Sequence, residues 1–139
     1  MATGVFDILH PGHIHYLAES KKLGDELLVV VARDSTAMRN GKRPIFDEAS
    51  RLHMVEQLKP VDRAILGHEG DMFVTVMENR PDIITLGYDQ RFRESEIEAK
   101  CREMGLDTRV VRISGYDRSP YKSSSDIRNR IIQIIEGSL

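Results

Sequence analysis

Cysteine is almost missing from this sequence, because Cys101 is the single cysteine among 139 residues. A lone thiol cannot form a disulfide within the chain, so a disulfide-stapled extracellular fold is excluded and a reducing compartment is favoured. Cys101 shares a helical pattern with Ile97 and Met104. Because free cysteines are usually buried, we interpret it as a small core residue and not as a catalytic thiol.

Long apolar runs and an excess of one charge are also missing. No stretch approaches the roughly 20 apolar residues that a membrane-spanning helix needs, and the first residues lack the pattern of a secretory signal peptide. Lys and Arg together number 20 against 22 Asp and Glu, which gives a formal net charge of −2. This balance does not suggest nucleic-acid binding. We therefore expect a cytoplasmic protein that binds neither a membrane nor a nucleic acid.

The residues that are present suit an ordinary globular domain. Hydrophobic residues make up 40% of the chain and charged residues 30%, close to the average for globular proteins. The length fits one hydrophobic core. Because the sequence contains no internal repeat, low-complexity tract or linker, we expect a single domain over residues 1–139.

Strand and helix patterns alternate along the chain. Residues 27–32 are a continuous run of apolar side chains that includes β-branched residues, typical of a parallel strand buried on both faces. Shorter strand candidates lie at 1–4, 64–66, 82–86 and 109–113. Helical patterns lie around Ile14 to Ala18, with Gly24 as the expected cap, from Asp47 to before Pro60, and at Met72–Asn79, Glu94–Met104 and from about Asp126. The alternation predicts an α/β fold with one Rossmann-like, doubly wound parallel sheet.

Three loops follow predicted strands, at 33–46, 88–93 and 115–123. Parallel α/β sheets bind ligands beyond the carboxyl ends of their strands, near the point where the strand order switches. We therefore expect the functional residues to lie in these loops and in the turn after the first strand.

The turn after the first strand carries the most informative motif, Gly4-Val5-Phe6-Asp7-Ile8-Leu9-His10-Pro11-Gly12-His13. Gly12 permits close approach of a ligand to the backbone, and the helix that starts there offers free N–H groups to a phosphate. His10 and His13 can donate hydrogen bonds to phosphate oxygens during phosphoryl transfer. Asp7 can orient a histidine or hold a loop.

A metal site is the alternative interpretation of the clustered histidines His10, His13 and His15. Residues two apart on a helix do not share a face, so His15 should point away from His13. No nearby cysteine or Glu-x-x-His pattern completes a ligand set. We therefore expect no metal to be held by protein side chains alone.

The spacing Gly-x-Phe-Asp-x-x-His-x-Gly-His resembles the signature of the cytidylyltransferase-like nucleotidyltransferases, the HxGH type. The resemblance implies that His10 and His13 stabilise the α-phosphate in the transition state. It also implies nucleotide contacts from the rest of the turn, which are Val5, Phe6, Pro11 and Gly12.

Three later stretches extend the resemblance. Lys42 and Arg43 precede Arg51 at a spacing like that of the family's triphosphate-contacting basic residues, although a solvated basic loop is the alternative. The stretch 86–90 resembles a segment that borders the nucleotide, or is a simple turn. The stretch 122–128, with Ser123 and Ser124, resembles the family's phosphate-binding serine segment. It also fits a plain helix N-cap, and both can hold at once.

Among family members, the sequence is most similar to the archaeal-type FAD synthases, which adenylylate FMN. The resemblance therefore implies ATP with Mg²⁺ or another divalent cation, FMN as acceptor, and a homodimer. Lys42 is expected to contribute positive charge to catalysis, Arg51 to support the loop, and Asp89 and Tyr116 to contact the nucleotide. Two alternatives stay open: transfer of a nucleotide to glycerol 3-phosphate or a sugar phosphate, and a non-catalytic nucleotide-binding module.

Overall fold

The computed structural model describes residues 1–137 and is built on one five-stranded parallel sheet. The strands are β1 (Ala2–Gly4), β2 (Leu28–Val31), β3 (Arg63–Leu66), β4 (Ile83–Leu86) and β5 (Arg109–Arg112). Their order across the sheet is β3-β2-β1-β4-β5, and every pair is parallel. This arrangement confirms the predicted doubly wound α/β fold.

Six helices connect and flank the strands. They are α1 (Pro11–Lys21), α2 (Asp34–Arg39), α3 (Glu48–Glu56), α4 (Met72–Asn79), α5 (Glu94–Glu103) and α6 (Ser124–Ile135). Side-chain caps define several of the helix starts. The Asp47 carboxylate accepts a hydrogen bond from Ser50 N at 2.7 Å, and Asp71 does the same for Phe73 N at 2.9 Å.

Two expectations about the helices were wrong. The loop predicted at 33–46 contains the helix α2, a segment too short and polar to give a clear helical period. Gly24 does not cap α1, whose C-cap is Lys22 in an ordinary right-handed conformation. The start of α6 at Ser124 agrees with the predicted start at about Asp126, and the Ser123 hydroxyl caps the helix by accepting from Asp126 N.

The hydrophobic core lies on both faces of the sheet. One cluster includes Val30, Ile84, Leu86 and Ile97, and Cys101 lies within it at 0% exposure. The buried position of Cys101 confirms its interpretation as a core residue. The second cluster packs α1 and α3 against the other face through Leu17, Val29, Val31 and Val55.

The strand order places β1 at the centre of the sheet and the switch point between β1 and β4. The chain turns from β1 into α1 on one side and from β4 into α5 on the other. A crevice therefore opens beyond the carboxyl ends of these two strands, where α/β sheets bind ligands. Within residues 1–137, no helix combines the length and apolar character needed to cross a membrane.

Candidate active site

Backbone conformation shapes the turn between β1 and α1. Phe6 and Ile8 adopt left-handed φ angles of 54° and 49°, which non-glycine residues rarely do. The two unusual residues flank Asp7 and turn its carboxylate inward, where it is 4% exposed. The Phe6 ring folds back over Gly4, and a Cβ at Gly4 would lie 2.9 Å from it. Glycine is therefore required where this ring packs on the end of the strand.

Gly12 is required for a different reason. A Cβ at this position would lie 2.7 Å from the Lys122 carbonyl oxygen and 2.9 Å from the His10 ring. The missing side chain lets the segment before α6 approach the start of α1. The N-termini of the two helices consequently face the same cleft.

His10 and His13 form a stacked pair at the start of α1. Their ring centroids are 3.7 Å apart with an interplanar angle of 25°. The His13 backbone N–H donates to His10 Nδ1 at 3.4 Å, so neutral His10 carries its proton on Nε2. The turn thus brings together the two imidazoles that the motif predicts.

Both imidazoles are held in the neutral form. Burial lowers the pKa of His10, partly offset by the carboxylates of Asp126 and Asp89. Burial, together with the neighbouring His10 and Lys42, lowers the pKa of His13 to about 3. His13 Nδ1 is buried and has no hydrogen-bond partner among the described residues. At neutral pH each ring is therefore a neutral N–H donor and not a cation.

Asp7 joins three segments of the site. Its carboxylate accepts from Ile45 N at 2.8 Å, from Phe46 N at 3.0 Å and from Arg128 Nη2 at 3.0 Å. Its carbonyl accepts from the Ser124 hydroxyl at 2.7 Å. Asp7 therefore ties the motif turn to the loop after Lys42 and to the first turn of α6. Of the two roles predicted for Asp7, the structure shows loop contact and no hydrogen bond to a histidine.

Arg51 supports the same loop from beneath. The side chain is 0% exposed and does not reach the cleft. Its guanidinium donates to Phe46 O at 3.0 Å, Val5 O at 2.8 Å and Ala32 O at 2.7 Å, and pairs with Asp34 at 2.7 Å. These contacts satisfy a buried charge and connect the ends of β1 and β2 to the segment before α3.

A cleft of about 340 Å³ opens above the motif turn. Most of the residues predicted for the site line it: Val5, Phe6, Asp7, His10, Gly12, His13, Lys42, Asp89, Tyr116, Ser123 and Ser124. Pro11 and Arg51 lie outside the lining. Phe6 presents little side chain to the cleft, because it is 2% exposed and packs 5.4 Å from the His13 ring.

The cleft is also lined by residues to which the sequence analysis gave no individual role in nucleotide binding, among them His15, which it considered only as a metal ligand. His15 Nε2 lies 3.1 Å from Ser114 O, and its ring lies 5.3 Å from the Tyr116 ring. The Tyr88 ring packs over Gly115, where a Cβ would be 3.3 Å away. His15 therefore faces this end of the cleft, and only the fold reveals that position. Lys122, Gln90 and Arg128 line the cleft as well.

A second cleft, of about 570 Å³, adjoins the first. The two share part of their lining at the end of β1, at Lys42 and at two residues of the loop after β4, Asp89 and Gln90. Apolar side chains from the sheet and from α4 line the second cleft, among them Val30 and Met72. Two molecules bound in the two clefts would therefore meet beside Lys42.

Acidic side chains are sparse around the clefts. Among residues 1–137 no group of three or more His, Cys, Asp or Glu side chains is arranged to hold a metal ion. The Asp7 carboxylate is engaged by three donors, whereas Asp89 lines both clefts. Asp89 is thus the carboxylate best placed to approach a cation in the shared region.

Known proteins are similar to this chain in both sequence and fold. The family model described as cytidylyltransferase-like matches residues 1–130. A protein of Picrophilus torridus named FAD synthase is 69% identical over 134 residues, covering 96% of each chain. An FAD synthase of Thermoplasma volcanium is 66% identical, covering 97% of this chain and 94% of the relative.

A solved structure gives a second kind of comparison. The crystal structure described as the lipopolysaccharide core biosynthesis protein from Thermoplasma volcanium superimposes with a TM-score of 0.83 at 71% identity. The superposition covers 84% of this chain and 96% of the chain in the crystal structure. The names of these relatives therefore differ, since the two relatives matched by sequence are named FAD synthase and the solved structure carries a lipopolysaccharide core biosynthesis name.

Proposed function

The chain belongs to the cytidylyltransferase-like family, and from this premise we propose that it transfers the adenylyl group of ATP to FMN, forming FAD and pyrophosphate. It is a nucleotidyltransferase, and relatives named FAD synthase match it over nearly its whole length. The observation that carries the proposal is the stacked His10–His13 pair, which faces a cleft bordered by the starts of α1 and α6.

The first cleft is suited to the triphosphate. Helix N-termini present N–H groups and the positive end of the helix dipole, so the starts of α1 and α6 attract phosphate oxygens. We assign the α-phosphate to His10, His13 and Lys42 and the outer phosphates to Ser123 and Ser124. Their positions around one cleft support this assignment.

The rest of the nucleotide lies, in this proposal, along the same cleft. The backbone of Val5, Phe6 and Gly12 borders the phosphates, and Pro11 starts α1 with the fixed φ that suits a first helical residue. Tyr116 flanks the nucleoside end of the cleft.

The chemistry needs positioning and charge stabilisation and no general base. A phosphate monoester is already an anionic nucleophile near neutral pH. An oxygen of the FMN phosphate forms a bond to the α-phosphorus, and the bond from that phosphorus to the oxygen bridging to the β-phosphate breaks. Pyrophosphate leaves with the electron pair. Neutral imidazole N–H groups and Lys42 stabilise the charge that builds on the α-phosphate.

We propose that Mg²⁺ or another divalent cation accompanies ATP. With Asp7 engaged and Asp89 the one carboxylate lining both clefts, phosphates and water would supply most ligands, as Mg²⁺ commonly requires. The ion would neutralise phosphate charge. The protein's own part is to hold the phosphates against His10, His13 and Lys42.

The acceptor belongs, in this proposal, to the second cleft. FMN needs an apolar region for its ring and must bring its phosphate to the α-phosphorus. The second cleft offers apolar side chains and meets the first beside Lys42. The larger volume also suits a flavin better than a glycerol phosphate.

A sugar phosphate is the alternative acceptor, because one solved relative carries a lipopolysaccharide core biosynthesis name. The test is pyrophosphate release by the purified chain with ATP or CTP against FMN, glycerol 3-phosphate and a heptose phosphate. We expect turnover with ATP and FMN and formation of FAD. Turnover confined to another pair would overturn the proposed acceptor. ATP binding without pyrophosphate release for any acceptor would favour a non-catalytic module.

We further propose that the chain works in the cytoplasm as a homodimer. The resemblance to dimeric family members supports the dimer, and so does an exposed row of isoleucines on α6, where Ile131, Ile134 and Ile135 are 48%, 57% and 78% exposed. Exposed apolar patches commonly mark interfaces. Light scattering after size-exclusion chromatography should give twice the chain mass, and an Ile134→Glu, Ile135→Glu variant should give the monomer.

A further inference from the structure

One aromatic ring stands out in the second cleft. Phe92 is 50% exposed, yet it lies in the lining together with Val30 and Met72. Phenylalanine is normally buried, and an exposed ring that lines a cleft of mixed polar and apolar side chains is suited to stack on a planar ligand. Phe92 belongs to the segment 87–92, which separates the two clefts and is called the divider loop below.

Arg112, the last residue of β5, fixes the divider loop. Its Nη1 donates to Gly87 O at 2.8 Å and to Gln90 O at 2.9 Å, and its Nη2 donates to Phe92 O. Its Nε and Nη2 both contact the Glu94 carboxylate at the start of α5. One planar guanidinium therefore holds both ends of the loop, which lysine could not do with a single ammonium group.

The loop contributes to both clefts. Asp89 and Gln90 line the first and the second, whereas Arg91 and Phe92 line only the second. The Gln90 side chain also accepts from Gly87 N at 2.7 Å, which tightens the turn. A rigid loop loses little conformational freedom when a ligand binds, so the position of the Phe92 ring is set in advance.

We propose that Phe92 is the stacking platform for the isoalloxazine ring of the acceptor, and that Arg112 is the positioning residue that holds this platform. The inference rests on the proposed function, in which the acceptor is FMN. It assigns acceptor specificity to a planar ring system, since a sugar or glycerol phosphate has no aromatic face to stack. The substitution Phe92→Tyr preserves such a platform, whereas Phe92→Leu does not.

The first experiment measures FMN binding by isothermal titration calorimetry. Unaltered protein should bind FMN, and the Phe92→Tyr variant should bind it with the same affinity. Phe92→Leu should bind FMN about 10-fold more weakly, as expected for loss of a stacking contact, and should leave the KM for ATP unchanged. Phe73→Leu, which removes a phenylalanine that lines neither cleft, is the matched control and should bind FMN normally.

The second experiment tests Arg112 by hydrogen exchange and kinetics. Arg112→Lys should accelerate amide exchange in residues 87–92 and raise the KM for both substrates. Arg109→Lys, at the exposed first position of the same strand, is its control. A merely structural Arg112 would lower the melting temperature without changing either KM.

Different results would refute the stacking role of Phe92 and the proposed function. If unaltered protein forms FAD and the Phe92→Leu variant binds FMN as tightly as the unaltered protein does, the platform is refuted and the proposed function stands. If unaltered protein neither binds FMN nor forms FAD, the proposed function fails and the inference fails with it.

Discussion

Replacing Asp7 with asparagine tests whether one buried carboxylate holds the active-site loop in place. Asp7→Asn keeps the shape of the side chain but turns one acceptor oxygen into a donor NH₂ group. The two carboxylate oxygens serve Ile45 N, Phe46 N and Arg128 Nη2. In either orientation of the amide, its NH₂ group faces an N–H donor that the carboxylate had accepted, so at least one hydrogen bond is lost.

The expected loss of stability follows from those contacts. Hydrogen bonds to a charged group contribute about 1.5–3 kcal/mol each, and a buried donor left unsatisfied costs about 1–3 kcal/mol. With Arg128 38% exposed and therefore partly solvated, we expect a total loss of about 2–4 kcal/mol. Because about 1 kcal/mol shifts the melting temperature of a domain of this size by about 3–5 °C, the shift should reach at least about 6 °C.

The activity should fall further than the stability alone explains. The loop released from Asp7 carries Lys42, and misplacing a catalytic group by about 1 Å can cost about 10²-fold in rate. We expect kcat to fall about 10- to 100-fold at a temperature where the variant is fully folded. Melting by circular dichroism and pyrophosphate release with ATP and FMN measure the two effects.

Asp47→Asn is the matched control. Asp47 is exposed and caps α3 through Ser50 N, and asparagine is an equally good N-cap. The control should melt and turn over like the unaltered protein. If Asp7→Asn behaves as Asp47→Asn does in both assays, the assignment of Asp7 as the residue that holds the loop is refuted.

Three further predictions concern the imidazole pair and its support. His10→Ala and His13→Ala should each lower kcat about 10²- to 10³-fold, as for loss of one transition-state donor, and full activity of either variant would contradict the mechanism. Because the folded-state pKa of His13 is lowered to about 3, the unfolded chain takes up the proton first as pH falls. The free energy of unfolding should therefore decrease as the pH falls from about 6.5 to 3, and it should decrease less in the His13→Ala variant. Chemical denaturation at several pH values in this range measures the free energy, and an equal dependence on pH in both proteins would refute the lowered pKa of His13. Arg51→Lys should destabilise the fold by about 1–3 kcal/mol, because a single ammonium group cannot serve Asp34 and the three carbonyls that the guanidinium contacts. A midpoint of urea unfolding within error of the unaltered protein would contradict that reason.

The overall fold could be predicted from the sequence because the hydrophobic periodicity and the length of the apolar runs indicate which segments are strands and which are helices. The run at 27–32 contains β2, whose four residues are buried as expected, and Asp47 caps α3 where the sequence predicts that helix to start. The short helix α2 was missed, because six mostly polar residues show no stable period and tertiary contacts decide their conformation.

The candidate site could be predicted in part. The motif turn is contiguous in sequence, so the proximity of its two histidines to Gly12 could be predicted from the order of residues alone. The contributions of His15, Arg112 and Phe92 depend on which strand ends the fold brings together. Local sequence cannot show that Arg112 reaches the carbonyls of residues 87–92, because those contacts span 20 to 25 positions along the chain.

The most direct test of the central claim is a crystal structure of the protein with FMN and an ATP analogue that cannot be cleaved between its α- and β-phosphates. The account predicts oxygens of the α-phosphate within hydrogen-bond distance of both His10 and His13, with the outer phosphates at the start of α6 and the flavin phosphate arriving beside Lys42. An α-phosphorus far from both imidazole rings, or a first cleft that stays empty at saturating nucleotide, would contradict it.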